Sequence, residues 1–266
     1  MSDFDYWKRQ SKTALFPEVD TWQPEQRRFA GKLLIIGGNK GAFYAAAKAM
    51  ETANKMGVGE VRVLLPDSLR GKLPKIPEIY FAKAEASGAF GKASMADMWE
   101  HLAWAEAVLI AGDLGRNAET SVAFAEFMKH CDKPVTIARD GVDVLIPDVM
   151  NWGMRDEKTT LFLTMPQLQK LLRTLYYPKV ITLSMPTNQL IETLHKFTLS
   201  FSLSLVTYHN DQIVIANDGV VISEDINDTE YTQITFWDGK IMARSAVLSL
   251  WNRELSLEKV LSRAIL

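Results

Sequence analysis

GKLLIIGGNKGAFYAAAKAMETANKMGVGEVRVLLP, residues Gly31 to Pro66, carries three changes of pattern in thirty-six residues. Leu33-Leu34-Ile35-Ile36 is a continuous apolar run, the mark of a strand buried on both faces, as strands of parallel sheets are. Gly37-Gly38-Asn39-Lys40-Gly41 follows as a turn. Ala42 to Met56 is alanine-rich and helical, and Gly57 breaks it. Val61 to Leu65 is a second apolar run. A strand, helix and strand in this order close into a parallel pair, because two parallel strands need a crossover between them.

The same rhythm recurs downstream: Ala107 to Ala111 as strand, Ala118 to His130 as helix, and Val135 to Ala138 as strand entered through Pro134. Leu161 to Leu163 reads as another strand before a helix from Pro166 to Leu175, and Asn188 to His195 as a further helix. Leu203 to Thr207 and Gln212 to Ile215, separated by His209-Asn210-Asp211, read as a hairpin. Ile241 to Leu266 has a helical pattern throughout. The repeated alternation predicts an α/β protein, a three-layer α/β/α sandwich on a mostly parallel sheet. Residues 1–30 are polar and charged, with Pro17 and Pro24, and read as an arm preceding one domain over 31–266. The arm's aromatic residues, Phe4, Tyr6, Trp7, Phe16 and Trp22, are positioned to anchor it on a neighbouring subunit or on its own domain.

The chain has 266 residues, 47% of them hydrophobic, enough for a substantial core. A net charge of -2 offers no cationic excess for a phosphate backbone, so nucleic acid is not an expected partner. Cys131 is the single cysteine, which excludes an internal disulfide and fits a reducing compartment. Met1 to Gln10 lacks the apolar run of a signal peptide, and no uncharged apolar stretch is long enough to span a bilayer, so a cytoplasmic protein without membrane partners is expected. His101, His130, His195 and His209 lack metal-ligand spacing, and no metal site is expected.

Two loops stand where an α/β sheet binds ligands. Gly37, Gly38, Asn39, Lys40 and Gly41 follow one strand and open a helix, so their amides and the helix N-terminus could hold an anion, although a tight turn explains them equally. Their spacing fits neither a Walker loop nor a dinucleotide fingerprint. Gly112, Asp113 and Gly115 repeat the arrangement after another strand, and the two loops should converge at the strand C-termini.

These segments resemble the ribokinase-like family of nucleotide-dependent NAD(P)H-hydrate dehydratases. Gly31 to Pro66 is similar to that family's opening strand, GGS-type loop, alanine-rich helix and G-x-G-x-V-x-V strand. AEAVLIAGDLGR (Ala105 to Arg116) resembles its GPGLGR loop, and KPVTIARDGVDVL (Lys133 to Leu145) its PLVLDADALNLL strand. The resemblance implies ADP- or ATP-dependent dehydration of NAD(P)H hydrates. It further implies Mg as a possible companion of the nucleotide, a homo-oligomer, and an aspartate base in a GSGD-type motif at a helix N-terminus. IMARSAVLSLW (Ile241 to Trp251) is similar to the family's VLAGIIAGLLA and places Trp237-Asp238-Gly239-Lys240 on GSGD.

Gly239 is kept, but Lys240 stands for the aspartate and Trp237 for a glycine. Asp238 is the remaining candidate base, while Lys240 could hold a phosphate as a point charge. Asp140 survives from the LDADALN-like pattern, whereas Ala138 and Asp143 replace an aspartate and an asparagine. Met165-Pro166-Gln167-Leu168 keeps only the proline of an HPGE-like stretch, the VLKG lysine falls near Thr207-Tyr208, and Tyr44 stands at a glycine position. Three readings stay open: a divergent dehydratase or small-molecule kinase, a non-catalytic binder of nucleotides or dinucleotides, and a scaffold protein of the same fold.

Overall fold

A computed structural model describes residues 5–232 and 235–266, with Trp22 and Asp228 as backbone alone. The strands are β1 (Trp7–Gln10), β2 (Lys32–Gly37), β3 (Glu60–Pro66), β4 (Ile79–Ala82), β5 (Ala107–Gly112), β6 (Val135–Ile137), β7 (Thr159–Leu163), β8 (Ser204–His209), β9 (Gln212–Asn217) and β10 (Val220–Asp225). They form one sheet in the order β1-β10-β9-β8-β7-β6-β5-β2-β3-β4. From β4 to β8 every neighbouring pair is parallel. β8, β9 and β10 are antiparallel, and β1 joins β10 in parallel.

The helices are α1 (Tyr44–Met56), α2 (Met95–Trp104), α3 (Ala118–His130), α4 (Asp140–Leu145), α5 (Val149–Trp152), α6 (Met165–Thr174), α7 (Thr187–Ser200), α8 (Lys240–Trp251) and α9 (Leu257–Ala264). They divide between the two faces of the sheet. α1, α8 and α9 cover one core that includes Leu33, Ile35, Leu109, Phe162 and Ile215. α2 to α7 cover the other, with Leu34, Ile36, Ile110, Leu161 and Leu205. Alternate residues of β2 thus enter opposite cores, which is why its sequence is apolar without a break. The result is the expected α/β/α sandwich.

Some expectations change. Residues 7–10 are a sheet strand, with Gln10 and Val19 buried, where polarity suggested a surface arm. The polarity of β1 has a cause: it is an edge strand, and only Gln10 at its end turns inward, donating to Glu224 Oε2 at 2.5 Å and the Ser262 carbonyl at 2.8 Å. Tyr6 stacks on His195 at 3.7 Å, the Trp7 indole donates to Ser223 at 2.9 Å, and Phe16 packs beside Val19 and Leu248. These three rings therefore pack on their own domain. Phe4 and the Trp22 side chain lie outside the described residues. The C-terminal helical pattern divides into α8 and α9 at Asn252–Ser256, where the Asn252 side chain bonds back to the Leu248 carbonyl and ends the helix.

Candidate ligand site at the sheet switch point

β2 and β5 are neighbours, yet the chain leaves β2 toward β3 and leaves β5 toward β6, on opposite sides. Between their C-terminal ends lies the crevice where open α/β sheets bind ligands. The two glycine-bearing loops meet there: the Gly38 amide donates to the Gly112 carbonyl at 3.0 Å, and Asn39 Nδ2 to the Asp113 carbonyl at 2.6 Å. A Cβ on Gly37 would approach the Gly112 oxygen to 2.8 Å, so the close approach requires glycine.

The first loop is a tight turn whose amides are engaged internally. Asn39 and Ala42 exchange backbone bonds, the Lys40 amide donates to the Gly88 carbonyl at 2.9 Å, and the Gly41 amide to Asn39 Oδ1 at 2.8 Å. At the start of α1 the Ala45 amide donates to Asp113 Oδ2 at 3.0 Å. An internal carboxylate thus stands where the helix N-terminus would favour an anion.

Asp113 is itself held by Arg139. Arg139 Nη2 lies 2.7 Å from Asp113 Oδ1, and Nη1 donates to the Trp237 carbonyl at 2.9 Å. The pair ties together the ends of β5, β6 and the segment before α8. Both residues have positive φ, 58° and 55°, which costs a side-chain-bearing residue about 1 kcal/mol each. Set on the patterns quoted above, Asp113 occupies a glycine position of GPGLGR and Arg139 an alanine position of LDADALN. Sequence reading placed Asp113 in the second ligand loop but passed over Arg139 and the pair they form, because only the fold brings them into contact. Next to them Asp140 Oδ2 accepts from the Gly115 amide at 3.1 Å. Asp140 Oδ1 is buried without a partner.

Beyond this pair opens a cleft of about 660 Å³ lined by Arg116, Arg139, Lys170 and Arg173, by Asp140 and Asp143, and by Trp237. Four cations against two carboxylates leave it net positive. Arg116 and Lys170 both approach Asp143, at 3.5 and 3.7 Å. Gln167, at the glycine of the HPGE-like stretch, is fixed by its capping bond with Thr164 and donates to the Arg139 carbonyl at 2.8 Å and Asp143 Oδ2 at 3.0 Å. Met165, Leu168 and Thr207, at the other altered positions, are buried packing residues. Tyr44 is exposed on the first turn of α1.

Trp237-Asp238-Gly239-Lys240 divides this cleft from a second one. Trp237 lines the first; Asp238 and Lys240 line the second, about 510 Å³, with Lys48, Glu51, Thr52, Glu230 and Arg244. Gly239 has φ +105°, and a Cβ there would lie 2.9 Å from the Ala45 carbonyl, so packing of α8 on α1 alone demands glycine. Lys240 Nζ reaches Glu230 Oε2 at 2.8 Å and lies 5.6 Å from the centre of the Tyr231 ring. Arg244 also pairs with Glu230. Burial would raise the Glu230 carboxyl, but Lys240 and Arg244 hold it below its ordinary value. Asp238 Oδ1 accepts from the Lys240 amide at 2.8 Å. The structure therefore brings together Gly37 to Gly41, Gly112, Asp113, Gly115 and Asp140, and puts Asp238 and Lys240 in a separate cleft.

The donors suit a phosphate better than a metal. Arg116, Lys170, Arg173 and Arg139 present charge and hydrogen-bond donors to the first cleft. Among the described residues, no group of three or more His, Cys, Asp or Glu is arranged to hold a metal ion. No described helix is long and apolar enough to cross a membrane.

No family model matches the chain. It is 28% identical over 136 residues to the bifunctional NAD(P)H-hydrate repair enzyme Nnr of Salinibacter ruber, a match covering 48% of this chain and 25% of that protein. A ribokinase-like superfamily protein from Enterococcus faecalis V583 superimposes with a TM-score of 0.69 at 14% identity, over 98% of this chain and 86% of that one. The ADP/ATP-dependent NAD(P)H-hydrate dehydratase of Bacillus subtilis, co-crystallised with ATP and Mg2+, gives a TM-score of 0.59 at 15% identity, over 93% and 83%. The fold is ribokinase-like.

Proposed function

We propose that the chain is a ribokinase-like protein that binds a nucleotide or dinucleotide without dehydrating it. The observation carrying this reading is the Asp113–Arg139 ion pair across the switch-point crevice. A charged pair bonded to the start of α1 and to the Trp237 carbonyl fills space that a glycine and an alanine would leave open. The two candidate bases of the segment before α8 are directed elsewhere: Lys240 is turned to Glu230, and Asp238 lies in the other cleft, holding a backbone amide. A base must first be within hydrogen-bond reach of its proton.

The cationic cleft retains what ligand binding requires. Arg116, Lys170 and Arg173 would hold phosphate oxygens of ADP, ATP or a nicotinamide dinucleotide, and the Trp237 ring, fixed edge-on by Phe236 at 4.6 Å, offers a flat surface for a base. Mg2+ would arrive with the phosphates, since Asp113 and Asp143 are engaged with Arg139 and Gln167 and only the buried Oδ1 of Asp140 is left over.

Differential scanning fluorimetry with ADP, ATP, NADH and NADPH tests binding, and recovery of reduced-nicotinamide absorbance from hydrated NADH plus ATP or ADP tests turnover. A concentration-dependent rise in melting temperature without turnover is expected. Turnover would refute the loss of chemistry, and a flat response to all four nucleotides would refute the binding site.

A further inference from the structure

We propose that the hollow between α2 and α3 receives an amphipathic helix of another protein, one that carries lysine or arginine beside its apolar stripe. The hollow holds about 1270 Å³ and shares no lining residue with either cleft described above. Met95 and Ala123, nearly closed to solvent, make its floor, while Trp99 and Val122 stand beside them 43% and 70% exposed. Apolar surface left in water is unfavourable, and a patch of it rimmed by charge marks an interaction site.

The shape selects a helix. Two packed helices leave a groove between them, and a third helix lies in such a groove with its apolar face down. Ala93 and Ala96 on the α2 side and Ala118 on the α3 side present only methyl groups, so the incoming axis can come close, to about 8 Å. Trp99 is held ready for contact. Its ring meets that of His130 edge-on at 5.7 Å between centroids, which ties α2 to the C-terminal end of α3 and lowers the entropy cost of burying the indole. α3 has 13 residues, about 20 Å, so the partner helix has room for roughly three to four turns.

The rim selects the charge. Its charged residues are Glu85, Glu119 and Glu126 with a single cation, Lys92. Glu119, Val122 and Glu126 fall at i, i+3 and i+7 of α3 and so share one face, the two carboxylates about 10 Å apart along the axis. A matching helix places large apolar side chains at i, i+3, i+4 and i+7 and two cations two turns apart on its α3-facing edge. Glu126 also approaches Lys129 and His130 of its own helix at 3.6 and 3.4 Å, exposed contacts weak enough to be exchanged. The same acidic rim repels anionic surfaces, which favours a protein helix over lipid or nucleic acid.

The test is fluorescence anisotropy of labelled peptides of about 14 residues, four turns, titrated with the full chain. One peptide has leucines at i, i+3, i+4 and i+7 with lysines elsewhere, a second has glutamates in place of the lysines, and a third is the lysine peptide broken by a central proline. Only the intact lysine helix should bind, gaining helical circular dichroism as it does. Val122→Glu should weaken that binding by on the order of tenfold or more. Glu119→Lys together with Glu126→Lys should reverse the preference, so that the glutamate helix binds the more tightly. Val180→Glu, at an exposed apolar position between α6 and α7, should leave binding unchanged. All the altered side chains reach solvent, and the variants' melting temperatures should stay near that of the wild type. Binding of no peptide, equal binding of the lysine and glutamate helices, or indifference to Val122→Glu would each overturn the proposal. So would light scattering in which the wild-type mass rises with concentration and Val122→Glu abolishes the rise, since the hollow would then hold a second copy.

Discussion

Arg139 is the residue on which most of the crevice depends. Its partner Asp113 has a side chain only 9% exposed, so removing the guanidinium strands a carboxylate rather than deleting a surface contact. Arg139→Ala should lower unfolding free energy by about 1–3 kcal/mol in urea titration, the range for a part-buried charge losing its partner. Replacing both residues by those of the resembling patterns, Asp113→Gly with Arg139→Ala, should cost less than the single change and raise nucleotide affinity, read as a larger thermal shift. Gly239 makes a separate claim: Gly239→Ala should destabilise the apo protein by roughly 2 kcal/mol from positive φ and the Ala45 contact, with no ligand involved. His101 supplies a pH signature. Burial, with Arg62 beside it, holds its imidazolium form at a pKa below the ordinary value. The unfolded chain then binds the proton more readily, so this contribution is intact above about pH 6.5 and lost as pH falls below it. His101→Gln should flatten the decline in melting temperature between about pH 7 and about pH 5.

At the scale of elements, β1 joins the sheet through a short edge pairing and one buried side chain. Gln10→Leu removes the donor to Glu224, which is 1% exposed, and should cost about 1–3 kcal/mol by denaturant melt. The central strands were legible from sequence because burial on both faces leaves Leu33 to Ile36 and Ala107 to Ala111 without polar residues. β1 was not, since an edge strand can be polar on most positions and its partner β10 is distant in sequence. β4 and α2 were missed for a related reason: Ile79–Ala82 is short, and the α2 sequence MADMWEHLAW mixes polar and apolar residues without an N-cap bond to mark its start. The loops were read at the right places, but not the bonds inside them. Only the folded arrangement shows Asp113 reaching the Ala45 amide and Lys240 turning to Glu230.

For the whole molecule, topology positions both clefts. The reversal between β2 and β5 creates the crevice, while the segment before α8 separates a cationic cleft from one where Lys240 and Arg244 share Glu230. Lys240 drew notice in the sequence as a wrong charge at an expected base; in the structure its partner is an acid of its own chain. That charge is balanced locally, and Lys240→Asp alone should therefore fail to create dehydratase activity, an outcome the reduced-nicotinamide assay reads directly. It should also lower the melting temperature by setting a second acid beside Glu230.

The pairing of Trp7–Gln10 with Val221–Glu224 bears on how the chain reaches this state. During synthesis Trp7–Gln10 leave the ribosome more than two hundred residues ahead of Val221–Glu224, so their partner strand does not yet exist. Contacts of such sequence separation form slowly, after a large loop has closed. The sheet must therefore assemble from its middle outward, with its earliest-made strand among the last to be placed, and pulse-labelled hydrogen exchange should find the amides of β1 protected after those of β2 and β5.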